Sequence, residues 1–156
     1  MIKYLSLPLA LFFVACSSCG KSDPDTLVRG GYDEREMDAA IARARKEVDT
    51  FIAEMEKGNG EGFAVKAPIE YQGQTEHFWL TDVVYRNGQF EGIIGNEPGM
   101  AKNVRLGQKW TIKKHEISDW MYMRDEKMYG NYTMRPLLKT LPPDEAEEYR
   151  KMLANP

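Results

Sequence analysis

A chain of 156 residues with 21 basic and 24 acidic side chains, formal net charge −3, makes one ordinary domain large enough to bury a core. So modest a charge gives no electrostatic argument for nucleic acid, which calls for a clustered basic stripe. The only cysteines are Cys16 and Cys19, so the body of the chain has neither a disulfide nor a thiolate metal site.

Lys3 is the sole charge before Cys16, and the run from Tyr4 to Val14 is apolar apart from Ser6, with Pro8 inside it. This is shorter than the roughly 20 apolar residues that span a bilayer, so residues 1–15 read as a secretory signal that is removed. Phe13, Val14, Ala15 and Cys16 resemble a bacterial lipobox with Phe in place of the usual Leu, which implies that Cys16 becomes the acylated first residue. The plain alternative is a signal peptide cut elsewhere. The resemblance implies three fatty chains, and two already hold a protein on a membrane at about 0.8 kcal/mol per buried methylene. By resemblance to enterobacterial lipoprotein sorting, Ser17 rather than Asp after the cysteine implies the outer over the inner membrane in a cell of that kind, so the expected place is the bacterial cell envelope, facing the periplasm. Cys16 and Cys19 have CxxC spacing, yet an acylated Cys16 cannot ligate a metal. Residues 16–31 are polar and turn-rich, with Pro24, Gly30 and Gly31, and read as a tether that spans roughly 20 Å as flexible coil.

Residues 32–156 then read as a single domain. Asp33 is an N-cap with Glu34 and Glu36 in the first turn, and apolar residues recur at Met37, Ile41, Ala44, Val48, Phe51, Ile52 and Met55, stopped by Gly58. That stripe belongs on the domain's own sheet, or else on a partner. Phe63 to Ile69 reads as a strand that its Lys66 and Pro68 place at a sheet edge. Glu76 to Tyr85 is the strongest strand pattern, and Asn87 with Gly88 predicts a two-residue hairpin into Gln89 to Ile94. Further strands are expected at Lys109 to Lys113 and Ile117 to Met123, with an extended piece at Met128 to Tyr132 after a turn at Asp125 and Glu126. A short helix over Thr133 to Leu141 and a second over Asp144 to Leu153 complete the chain. The expectation is an α+β fold: a small curved antiparallel sheet of about five strands, flanked by an N-terminal amphipathic helix and a C-terminal helix.

The stretches FAVKAPI, EHFWL, NGQFEGIIGNEPG, the glycine before KWTI, ISDWMY and YGNYTMR resemble the domain of unknown function 2314 family, which includes the YegJ-like proteins. The resemblance covers about residues 63–138, with Gln108 standing where the family often carries Asp. It implies a domain boundary and no activity.

The residues that invite a functional reading are Glu76, His77, Trp79, Asp119, Trp120 and Tyr122, on the EHFWL and ISDWMY strands. Asp119 and Trp120, adjacent on one strand, point to opposite faces, so one face must accommodate a charge. For the same reason Glu76 cannot orient its neighbour His77, although His77 can meet Asp119 across strands, as a base with its carboxylate or as a plain hydrogen bond. Ser118 has no partner identifiable in sequence and there is no GxSxG elbow. Paired carboxylates among Glu76, Asp82 and Asp119 would suit a small cell-wall hydrolase if two lay about 5 to 9.5 Å apart in a cleft. Met121, Met123, Met128 and Met134, near His115, suit either core packing or soft copper ligation. Trp79, Trp110, Trp120, Tyr122, Tyr129 and Tyr132 read as core or, where exposed, as platforms for sugar or protein. Arg105, Lys109, Lys113 and Lys114 are a solvated strand face or a groove for an acidic partner. The leading expectation is a membrane-anchored periplasmic module that binds a protein, of inhibitor or immunity type, with no cofactor and no metal; the alternatives are the cell-wall hydrolase and a copper-binding envelope protein.

Overall fold

The computed structural model describes residues 31–154. The signal expected over residues 1–15, the acylation expected at Cys16 and the tether expected up to residue 30 fall outside the described residues.

Helix α1, Glu34–Lys57, starts where Asp33 caps it: Asp33 Oδ1 accepts from the backbone N–H of Arg35 at 2.9 Å and of Glu36 at 3.2 Å. It stops at Gly58, whose φ of 64° lies in the left-handed region that glycine enters without strain. Its buried stripe, Ala44, Val48, Phe51 and Ile52, packs on the domain's own sheet. Phe51 is fully buried, with its ring 5.2 Å from that of Trp120, 5.8 Å from Phe63, 5.9 Å from Phe90 and 6.4 Å from Tyr122. Trp120 adds a bond across the layers, its Nε1–H donating to the Ala44 carbonyl at 2.9 Å.

The strands are β1 Glu61–Tyr71, β2 Gln74–Arg86, β3 Gln89–Ile94, β4 Lys109–Lys113, β5 Asp119–Arg124 and β6 Lys127–Gly130. They form one open antiparallel sheet of six strands in the order β4-β3-β2-β1-β5-β6. Two-residue turns join three of the neighbouring pairs, with φ positive at both positions of Gln72–Gly73, Asn87–Gly88 and Asp125–Glu126, the backbone that matches strand twist. The extended piece expected after Glu126 is thus the sixth strand.

One expectation is overturned. The strand carrying Lys66 and Pro68 lies in the middle of the sheet, between β2 and β5. Its pairing with β5 ends at Lys66, opposite Asp119, where the Lys66 carbonyl accepts from the Ser118 N–H at 2.8 Å. Pro68 faces the same side two residues further on, past the end of that ladder, so its missing N–H costs no sheet bond.

A second cluster of Met134, Leu137, Leu138, Ala146 and Leu153 lies under the C-terminal helices, α2 Met134–Leu137 and α3 Pro143–Met152, with Tyr32 and Met37 packed against it. This segment also closes the β6 edge, since the Ala154 N–H donates to the Met128 carbonyl at 2.8 Å.

Candidate functional site

The six strand residues singled out by the sequence divide between the two faces of the sheet. Lys66 stands opposite both Trp79 and Asp119, so those three share a face with His77, while Glu76, Trp120 and Tyr122 lie on the face that receives α1. Trp120 and Tyr122 are core residues, 3% and 4% exposed.

On the first face Asp119 is fully buried. Its Oδ2 accepts from the Thr133 N–H and Oγ1–H, each at 2.7 Å, and its Oδ1 from the Trp120 N–H at 2.9 Å. Lys66 Nζ donates to Thr133 Oγ1 at 3.0 Å and lies 4.6 Å from the centre of the Trp79 ring. Thr133 therefore links the buried cation to the buried anion. Burial pushes the Asp119 carboxyl above its ordinary range, and Lys66 and Thr133 pull it only part of the way back.

The contact expected between His77 and Asp119 does not form. His77 stands opposite Pro68, two residues past the Lys66–Asp119 pair, and its Nδ1 meets Ser118 Oγ at 2.8 Å instead. Ser118 Oγ also lies 3.3 Å from the Lys66 carbonyl, and the direction of the His77–Ser118 bond follows the imidazole tautomer. Ser118 is only 1% exposed, so its hydroxyl is closed to a substrate. Lys66 and Thr133 are the members of this group to which sequence reasoning gave no functional part, and Ser118 was considered there without a partner. A lysine inside an apolar strand, in FAVKAPI, was the available signal; Thr133 gave none.

Glu76 anchors a loop. Its Oε1 accepts from the Gly99 N–H at 2.7 Å and its Oε2 from the N–H groups of Met100 and Ala101, each at 2.8 Å. Asp82 is exposed at a bulge in β2, six residues from Glu76 or about 20 Å at about 3.3 Å per residue, with φ 50°. Glu76 and Asp119 lie on opposite faces, so the three carboxylates assemble no acid and base pair. The methionines are likewise apportioned: Met123 pairs with Met128, whose Sδ accepts from Asn131 Nδ2, and Met134 belongs to the second cluster. Among the described residues no three His, Cys, Asp or Glu side chains gather as a metal site.

A cleft of about 350 Å³ opens between α1 and α2. It is lined by Ala39, Ala40, Pro136 and Tyr132, with the guanidinium carbons of Arg43 and Arg135 at 4.5 and 5.1 Å from the tyrosine ring centre. Lys139 and Glu36 form an ion pair at the rim. The Tyr132 hydroxyl donates to Glu47, which also accepts from Arg43 Nε at 2.9 Å. Burial, with the Glu47 carboxylate beside it, pushes the Tyr132 hydroxyl far above its ordinary range. Burial alone would raise Glu47, but the Tyr132 hydroxyl and Arg43 outweigh it and hold that carboxyl below the usual range. Arg135 is held by the carbonyls of Gly130 at 2.9 Å, Asn131 at 3.1 Å and Ala154 at 3.1 Å. Burial, to which the Arg43 charge adds, lowers its proton affinity. Nothing in local periodicity signals this cleft, because its two walls are some ninety residues apart in the chain.

A model of a bacterial family described as "Uncharacterized protein conserved in bacteria (DUF2314)" matches residues 34–154. "Uncharacterized protein YegJ" of Escherichia coli (strain K12) is 53% identical over 152 residues, 97% of this chain and 99% of that protein. A "Putative ankyrin repeat protein NMB1133/NMB1171" of Neisseria meningitidis is 29% identical over 89 residues, 54% of this chain and 35% of that protein. No solved structure matches.

Proposed function

Since the chain belongs to the DUF2314 family, whose description names no activity, we propose from the geometry that it is a binding module for a protein partner, of inhibitor or immunity type. In this reading Cys16 carries the lipid, the tether of residues 16–31 sets the domain off the envelope membrane, and the domain faces the periplasm, at the outer membrane before the inner. The module works by contact and uses no cofactor.

The observation that supports it is the α1–α2 cleft. Arginine is among the residue types that dominate contact energy at protein interfaces, and here the partly exposed Arg43 and Arg135 are held against the largely buried Tyr132 ring beside apolar Ala39, Ala40 and Pro136. By contrast the titratable groups of the strands, Glu76, His77 and Asp119, are engaged in bonds that hold the fold.

The experiment is photo-cross-linking in cells from a benzoylphenylalanine placed at Ala39 in the cleft lining, with one at exposed Thr111 on β4 as the control. A discrete adduct from position 39 and none from 111 is expected. No adduct, or the same adducts from both, would remove the reading. Fractionation tests the anchor separately: Cys16→Ser should move the protein from the membrane to the soluble periplasmic fraction, and an unchanged distribution would sink that part.

A further inference from the structure

We propose that the α1–α2 cleft recognises an acidic-apolar peptide segment of the partner, one carboxylate side chain beside one apolar side chain. This rests on the partner-binding reading and gives it a chemistry. The cleft carries three cations, Arg43, Arg135 and Lys139, against one lining carboxylate, Glu36. Two of those cations already hold carboxylates of the chain itself: Lys139 Nζ donates to Glu36 Oε1 at 2.6 Å and Oε2 at 2.7 Å, and Arg43 holds Glu47. Each marks a position that a carboxylate occupies well. The Lys139–Glu36 pair is also open to exchange, since the two side chains are 64% and 44% exposed and such pairs are held weakly.

Arg135 is matched differently. It is half-buried and bonded directly to three carbonyls rather than to an acid; Asp119 and Glu47 act on it only through space and the Arg43 charge stands against it, so a carboxylate in the cleft meets a cation that no acid of the chain contacts. Both of its NH1 bonds go to carbonyls, so it offers charge more than the two-pronged fork that a phosphate group prefers. The lining residues Ala39, Ala40 and Pro136 carry no charge, and their small side chains leave the space that an aliphatic group fills. A volume near the bottom of the usual range for ligand pockets, about 300 to 1,000 Å³, admits a side chain or two and excludes a folded element.

The test is an NMR titration of the full chain in detergent micelles, following the side chains of Arg43, Tyr132 and Arg135, with acetyl-Leu-Glu-amide, acetyl-Leu-Gln-amide and inorganic phosphate as probes. The Glu peptide should bind about tenfold more tightly than the Gln peptide, because its contact to the cations is charge-assisted. Lys139→Gln should weaken it by about threefold, and Glu36→Gln should strengthen it by about as much by freeing Lys139. Both changes sit on exposed rim side chains, and unchanged far-ultraviolet circular dichroism would show the fold intact. Equal binding of the Glu and Gln peptides, phosphate matching the Glu peptide, or a Glu36→Gln variant that binds no better would each overturn the assignment. The partner reading fails separately. If the adduct from position 39 forms and persists unchanged in Lys139→Gln and Glu36→Gln while the peptide does not bind, partner binding stands and acidic recognition falls.

Discussion

Glu76→Gln changes one oxygen for one NH2 group and is the sharpest probe of how the loop at residues 99–101 is held. The glutamate is 3% exposed and accepts three backbone N–H groups, one on Oε1 and two on Oε2. A glutamine has one acceptor oxygen, so the amide turns that oxygen toward Met100 and Ala101 and presents its own donors to the Gly99 N–H. One charge-assisted bond, worth about 1.5–3 kcal/mol, is then lost, and the two that remain fall to neutral strength, about 1 kcal/mol each. The sum is a destabilisation of about 3 kcal/mol or more, a large part of the roughly 5–15 kcal/mol that holds a domain of this size. Urea denaturation of wild type and variant measures it, and amide hydrogen exchange at Gly99, Met100 and Ala101 locates it. A loss under about 1 kcal/mol, with exchange at those three amides unchanged, would refute the view that a buried charge anchors this loop.

Phe51→Ala should cost the upper part of the usual range of about 3–5 kcal/mol, because one fully buried ring serves four others, and denaturation with a loss below about 2 kcal/mol would mean that α1 repacks freely on the sheet. Gly130→Ala should destabilise by at least about 2 kcal/mol, since a Cβ there lies 2.2 Å from the Trp120 carbonyl oxygen and the residue has φ 74°; near-normal thermal stability would contradict the β5–β6 geometry. For Asp119 the sign follows from the raised carboxyl. A group that holds its proton more tightly folded than unfolded lends stability that is complete below the unfolded pKa of about 3.9 and is lost as pH rises through the folded value. The stability of wild type relative to Asp119→Asn should therefore fall as pH rises above about 4. A gap that widened with pH would mean that Lys66 and Thr133 win over burial.

Where a segment's own residues supply the driving force, the chain could be read directly. The apolar stripe of α1 with Asp33 and Gly58 at its ends, the Asn87–Gly88 hairpin and the α+β order all rest on contacts a few residues apart, and all are present in the fold. The prediction that one face near Asp119 must take a charge was also local, since side chains alternate along a strand. What covers that charge was not. Lys66 meets Asp119 through strand register, and Thr133 reaches them from beyond β6, so neither partner is marked by spacing. The same limit explains β1: a proline argues for an edge only if every central strand is paired along its whole length, and β5 stops at Lys66. The sequence by itself thus determined the helices, the turns and the alternation of each strand, because those follow from backbone geometry and near neighbours. Only the tertiary structure decided which strands adjoin, that Glu76 serves a loop, and that Arg43, Tyr132 and Arg135 share one cleft, because these depend on which distant surfaces bury one another.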